Sequence, residues 1–254
     1  MSMPYPDPNV GARPGVTSHG YAGEIDQGLR AYMLKVYNYM AIGLLVTGLA
    51  AYGAFSAAVV ETSEGLALTS FGQLLFASPL RWVLIFAPLG AVMFLSFRIH
   101  KMSVGAAQLT FWIYAGLVGL SLSSIFLVYT STSISQVFFV TAAAFGALSL
   151  YGYTTGRDLS AMGSFLIMGL FGVIIASIVN IFLASSALAF AVSVIGVLVF
   201  AGLTAYDTQR IKEMYFAGDD GATAGRKAIM GALTLYLDFI NMFVMMLQLF
   251  GERR

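Results

Sequence analysis

Leu235-Tyr236-Leu237-Asp238-Phe239-Ile240-Asn241 sets a carboxylic acid and an amide inside an otherwise apolar run over 228–250. A run of that length approaches the ~20 residues that cross ~30 Å of hydrocarbon as a helix. Asp238 falls about ten residues into it, roughly 15 Å deep at 1.5 Å per residue, and so near mid-bilayer. A carboxylate there costs roughly 3 kcal/mol on insertion scales, so it should face protein and have a partner. Gly231, Thr234, Asp238, Asn241, Met245 and Gln248 recur every three or four residues and share one stripe of the helix. The last span therefore has a polar side, and Thr234, Asn241 and Gln248 are expected to line a polar interior with Asp238.

Six further apolar runs precede it, near 36–60, 80–98, 104–129, 136–154, 160–182 and 187–206. They are continuous rather than alternating, which predicts spanning helices and not barrel strands. Of 254 residues, 59% are apolar and 10% charged, and mean hydropathy is +0.84. Soluble domains are about 45–50% apolar and about 25% charged. The expected class is an all-α polytopic membrane protein with seven transmembrane helices in the lipid bilayer. A net charge of +1 offers no field for collecting nucleic acid. With no cysteine and two histidines (His19 and His100, neither in a span), no thiolate chemistry, Ser-His dyad or multi-histidine zinc site can be assembled. Neither an enzyme nor a resident cofactor is expected.

Residues 1–35 hold four of the six prolines and no apolar run. This predicts a partly disordered tail ahead of a single membrane domain over 36–254, with Gln27–Lys35 a candidate interfacial helix. The tail lacks the layout of a cleaved signal peptide, so the first span should act as a signal anchor. Of the thirteen Lys and Arg, only Arg81, Arg253 and Arg254 fall on the side opposite the N-terminus. That bias puts the N-terminus in the cytosol and the C-terminus outside. Gly218-Asp219-Asp220-Gly221 lacks the ligand alternation of a calcium loop and reads as a solvated turn. Arg157-Asp158 reads as a surface pair.

Asp207, in Tyr206-Asp207-Thr208-Gln209-Arg210, lies at the cytosolic end of the sixth span, where an acid opposes the helix dipole. Arg98 ends the second span on the same side. The three can meet in the inner half of the bundle. Two carboxylates in a poorly hydrated site resist double ionisation and share a proton, while a guanidinium favours their ionised forms. Such a unit is a gate, a transient cation site, or both. The plainer alternative is a buried acid paired for fold specificity. Asp207 and Asp238 are the candidate ligands for a transient calcium ion, although two carboxylates do not select calcium over other cations.

The stretch Leu235–Phe243 closely resembles the last-helix motif of the Bax-inhibitor-motif family of membrane proteins, and Tyr206–Ile211 resembles the motif that precedes it. Arg157-Asp158-Leu159-Ser160, Gly163-Ser164-Phe165-Leu166 and Gly119–Phe126 resemble stretches of its bacterial members. The resemblance runs over roughly 30–250. It implies a seven-helix fold whose last helix is central between two layers of three. It also implies a pH-sensitive calcium leak of a bacterial inner membrane, with the acids matching Asp207 and Asp238 as sensor and Arg98 nearest to a latching arginine. An acid that some members carry in the second helix has no counterpart in Ile85-Phe86-Ala87-Pro88-Leu89. Bacterial members are also linked to a membrane-bound ATP-dependent protease. The alternative is therefore a non-conducting interaction protein acting through its tail or outer helix faces.

Overall fold

The computed structural model describes residues 18–63 and 65–254. Long helices form where the apolar runs were read. They are α1 (Ser18–Ala58), α2 (Leu80–Arg98), α3 (Val104–Leu122), α4 (Ser131–Thr154), α5 (Ser160–Leu183), α6 (Ser186–Glu213) and α7 (Gly221–Phe250). All seven are long and apolar enough to cross a membrane. Their starts are written locally. Ser103, Thr130, Ser185 and Asp220 each accept a hydrogen bond from the backbone N–H three residues on, which satisfies a donor that the first turn leaves free.

Two elements differ from the sequence reading. Residues 18–35, expected as tail, are helical and continuous with the first span, while 1–17 lie outside the described residues. No proline follows Pro14 there, and Tyr32, Met33 and Val36 bury one face of the extension against the bundle. The separate interfacial helix expected over Gln27–Lys35 is thus part of α1. After α1, β1 (Val59–Thr62) pairs antiparallel with β2 (Gly65–Leu68), a hairpin turned by Gly65 at φ +118°.

The last helix is the centre of the fold. In its most apolar window 61% of residues are buried, against 11% for α2 and for α5. It packs on α1 and α3 on one side and on α4 and α6 on the other. Outside these, α2 packs on α3 and α5 on α6, which completes two layers of three around α7. Close helix approach uses small residues: a methyl at Gly119 would meet the carbonyl of Thr47, and one at Gly152 would meet that of Ala205.

On the α1–α3 side, the Tyr236 hydroxyl lies 2.6 Å from Thr47 Oγ1, which is itself within reach of the Gly43 and Ala115 carbonyls at 3.0 and 2.9 Å. The threonine proton goes to a carbonyl, so the tyrosine donates. The Phe111 and Tyr114 rings meet Tyr236 edge-on at 5.6 and 5.7 Å. At the far end of α7 the chain is strapped down. Thr130 N–H donates to the Glu252 carbonyl and Arg254 N–H to that of Val128.

Candidate functional site

The seam between α6 and α7 carries the polar groups. Asp207 and Asp238 face each other there with their carboxyl groups within hydrogen-bond reach. They are 8% and 5% exposed. Carboxyl groups so placed can share a proton. Oδ2 of Asp238 is buried and has no hydrogen-bond partner. An unsatisfied buried oxygen of this kind calls for an explanation, such as a water, an ion or a catalytic role.

Both acids open onto one cavity of about 570 Å³ between α5, α6 and α7. Thr234 and Asn241 line it too, as the stripe on α7 predicted. The Asn241 amide donates to the Leu237 carbonyl at 2.8 Å, which leaves its own oxygen as an acceptor. Gln248 does not reach this cavity. It lies beyond Met245, accepts from Ser193 Oγ at 2.7 Å, and lines a second cavity of about 610 Å³ with Asn180, Ser185 and Arg253. Ser177 lines both cavities. Between them on α6 and α7 the Met245 side chain lies over Gly196, where a methyl would stand 3.1 Å from its sulfur.

Asp207 is not at a helix end, as the sequence suggested. The helix α6 runs on to Glu213, so the acid sits more than a turn inside it. Its cation is Arg210, one turn further along and on the wall of the same cavity. The expected meeting of Arg98 with the pair is corrected. That side chain is exposed at the end of α2, a helix that packs chiefly on α3, and it does not line the cavity. Sequence spacing alone could have ranked Arg210 first, since it follows Asp207 by three residues on one helix face.

Several supports escaped the sequence reading. Behind Asp207, Tyr37 Oη, Ser149 Oγ and Thr208 Oγ1 form a chain at 2.6 and 2.9 Å, and Thr208 donates to the Thr204 carbonyl at 2.7 Å. The chain ties α1, α4 and α6 together on the side of α6 away from the cavity. Gln209 accepts from Leu159 N–H at 2.9 Å and donates to the Arg157 carbonyl at 2.8 Å, which fixes the α4–α5 turn. The surface pair expected of Arg157 and Asp158 is not formed. Asp158 instead accepts from Ser160 N–H at 2.8 Å, bonds that hold its carboxyl below the usual range. In the turn before α7, Asp219 pairs with Lys227 at 2.6 Å and Asp220 caps the helix. Among the described residues no three His, Cys, Asp or Glu side chains cluster as a metal site.

Most of the chain matches known proteins. A family model described as inhibitor of apoptosis-promoting Bax1 matches residues 29–254. The inner membrane protein YbhL of Escherichia coli K12 is 51% identical over 231 residues, covering 89% of this chain and 94% of that protein. An uncharacterized protein of Rickettsia prowazekii is 49% identical over 229 residues, 90% of this chain and 92% of its own. One from Caulobacter vibrioides is 47% identical over 231 residues, 91% of this chain and 92% of its own.

Proposed function

The chain belongs to the Bax inhibitor-1 family, and on that premise we propose that it is a pH-sensitive, calcium-permeable leak of a bacterial inner membrane. The observation that carries this is the carboxyl pair on the cavity with one oxygen left unpartnered. With the proton shared, the pair holds one negative charge. When the proton leaves, it holds two, and a hard cation becomes the natural partner of oxygens that no protein donor satisfies. Asn241 and Thr234 add neutral oxygens beside it. Proton and cation compete for one site, so by linkage raising the pH favours cation occupancy.

The cation would pass from the Arg210 end of the first cavity to the second cavity past Met245 over Gly196. The basic end of the bundle faces the cytosol in this reading, by the bias of lysine and arginine between the spans. Arg210 takes the part of the guanidinium beside the pair, in place of Arg98.

Reconstituted vesicles loaded with a calcium dye test the proposal. The expected result is a flux that changes with pH, by at most about tenfold per pH unit for one shared proton, and an Asp238→Asn chain that has lost the response. An unchanged pH profile in Asp238→Asn overturns the shared-proton sensor. Absence of flux, with a cellular protease activity that depends on residues 1–30, supports the interaction-protein alternative instead.

A further inference from the structure

The cavity that holds the carboxyl pair is built for more than a bare ion. It runs along α5 from Ile167 to Ile181, about 21 Å at 1.5 Å per residue. Its volume of about 570 Å³ falls within the ~300–1,000 Å³ range of organic-ligand pockets, where a single water takes about 30 Å³. Ser177 and Asn241 carry polar groups along it as well as the acids, and the rest of its wall is chiefly branched aliphatic and aromatic.

The cavity also opens sideways. Leu166 and Val173 bury one stripe of α5 against α6. The neighbouring stripe of Ile174, Ile178 and Ile181 lines the cavity and is 45%, 52% and 76% exposed. On a helix that crosses a membrane, that exposed flank faces lipid, so an amphiphile can enter from the bilayer without passing through water.

We propose that this cavity binds an amphiphilic primary amine, its ammonium on the Asp207–Asp238 pair and its alkyl chain along Ile174 and Ile178. An ammonium has three N–H donors and no acceptor. The free Oδ2 of Asp238, the carboxyl of Asp207 and the oxygen of Asn241 supply three acceptors, and with both acids ionised the pair carries two negative charges against the one positive charge of Arg210 on the same wall. From the pair the chain runs along α5 toward Ile181, away from the basic end. A calcium ion on the pair satisfies the carboxylates and leaves the apolar length unused. The inference rests on the pair and not on conduction.

The test uses the full chain in nanodiscs without calcium, with thermal midpoint as readout. Dodecylamine should raise it, and dodecanol, dodecyltrimethylammonium and propylamine should not, since each lacks the charge, the donors or the tail. Asp238→Asn should weaken dodecylamine binding by about tenfold or more, the worth of a charge-assisted hydrogen bond. Ile178→Trp, which fills the tail slot and leaves the acids in place, should weaken it as well and keeps the proposal testable should Asp238→Asn not fold. Equal shifts by dodecylamine and dodecanol, or amine binding untouched by Ile178→Trp, overturn it. A chain that leaks calcium without binding the amine overturns this inference alone, and one that binds the amine without leaking overturns only the leak.

Discussion

Tyr236 and Asp238 stand two residues apart on α7 and point to opposite flanks of the bundle, as two steps of a helix require. Toward α1 and α3, the Tyr236 hydroxyl finds Thr47, the threonine finds a carbonyl, and two aromatic rings close over them. The Tyr236–Thr47 contact is paired throughout, while Tyr32 Oη on α1 and Trp112 Nε1 on α3 are buried without a partner elsewhere on that flank. Toward α5 and α6, Asp238 finds a second acid, keeps one oxygen without a partner, and borders open volume. The first arrangement gains nothing from a ligand or a proton. The second is incomplete without one. In a bundle where buried polar groups are costly, the incompletely partnered acid pair marks the site and the fully paired Tyr236–Thr47 contact belongs to the scaffold.

The largest expected difference between the flanks is in pH response. The Asp238→Asn chain should lose it, while Tyr236→Phe should keep the wild-type profile in the same vesicle assay. A matching loss in Tyr236→Phe would mean that the flanks are not separate. Next in size is the effect of the two arginines. Removing Arg210, whose guanidinium lines the cavity with the pair, should change the flux response. Arg98→Ala should leave it in place. A shift in Arg98→Ala alone would show that α2 swings onto the pair in another state. Smaller still is stability. Tyr236→Phe should cost about 0.6 kcal/mol in unfolding within the membrane, the usual worth of an interhelical hydrogen bond there. Its small size follows because Thr47 can still donate to a carbonyl and no buried group is stranded.

The seven helices were legible because length and continuous apolarity are one-dimensional signals, and the acid at Asp238 was legible because nothing else in its run is charged. The central place of α7 came with the motif resemblance, and burial on both of its flanks agrees with it. Partnering was less legible. Which arginine attends Asp207 depends on how α2 packs: it leans on α3, away from α6, and no periodicity within α2 encodes that. The chain of Tyr37, Ser149 and Thr208 joins three helices through hydroxyls that each read as ordinary span residues. The start of α1 was misplaced because the weakly apolar stretch 27–35 resembles an interfacial segment. Only burial of Tyr32 and Met33 shows that it continues the bundle.

The smallest prediction sets Asp238 against an acid whose charge is fully used. Asp220, at the solvent-exposed start of α7, accepts from Thr223 N–H at 2.7 Å, and bonds from Thr223 hold its carboxyl below the usual carboxylate range. A group depressed in the folded chain stabilises it above the unfolded pKa of about 3.9. That contribution fades as the pH falls through the lower folded value. Asp220→Ala should therefore lower the thermal midpoint slightly at neutral pH, and the gap from wild type should close in strong acid. The calcium flux should keep its pH profile, since Asp220 lies at the end of α7 and does not border the cavity. A gap that persists in acid would show that the cap works through its hydrogen bond and not its charge. A changed flux profile would extend the sensing region to the turn before α7 and break the separation between structural and functional acids.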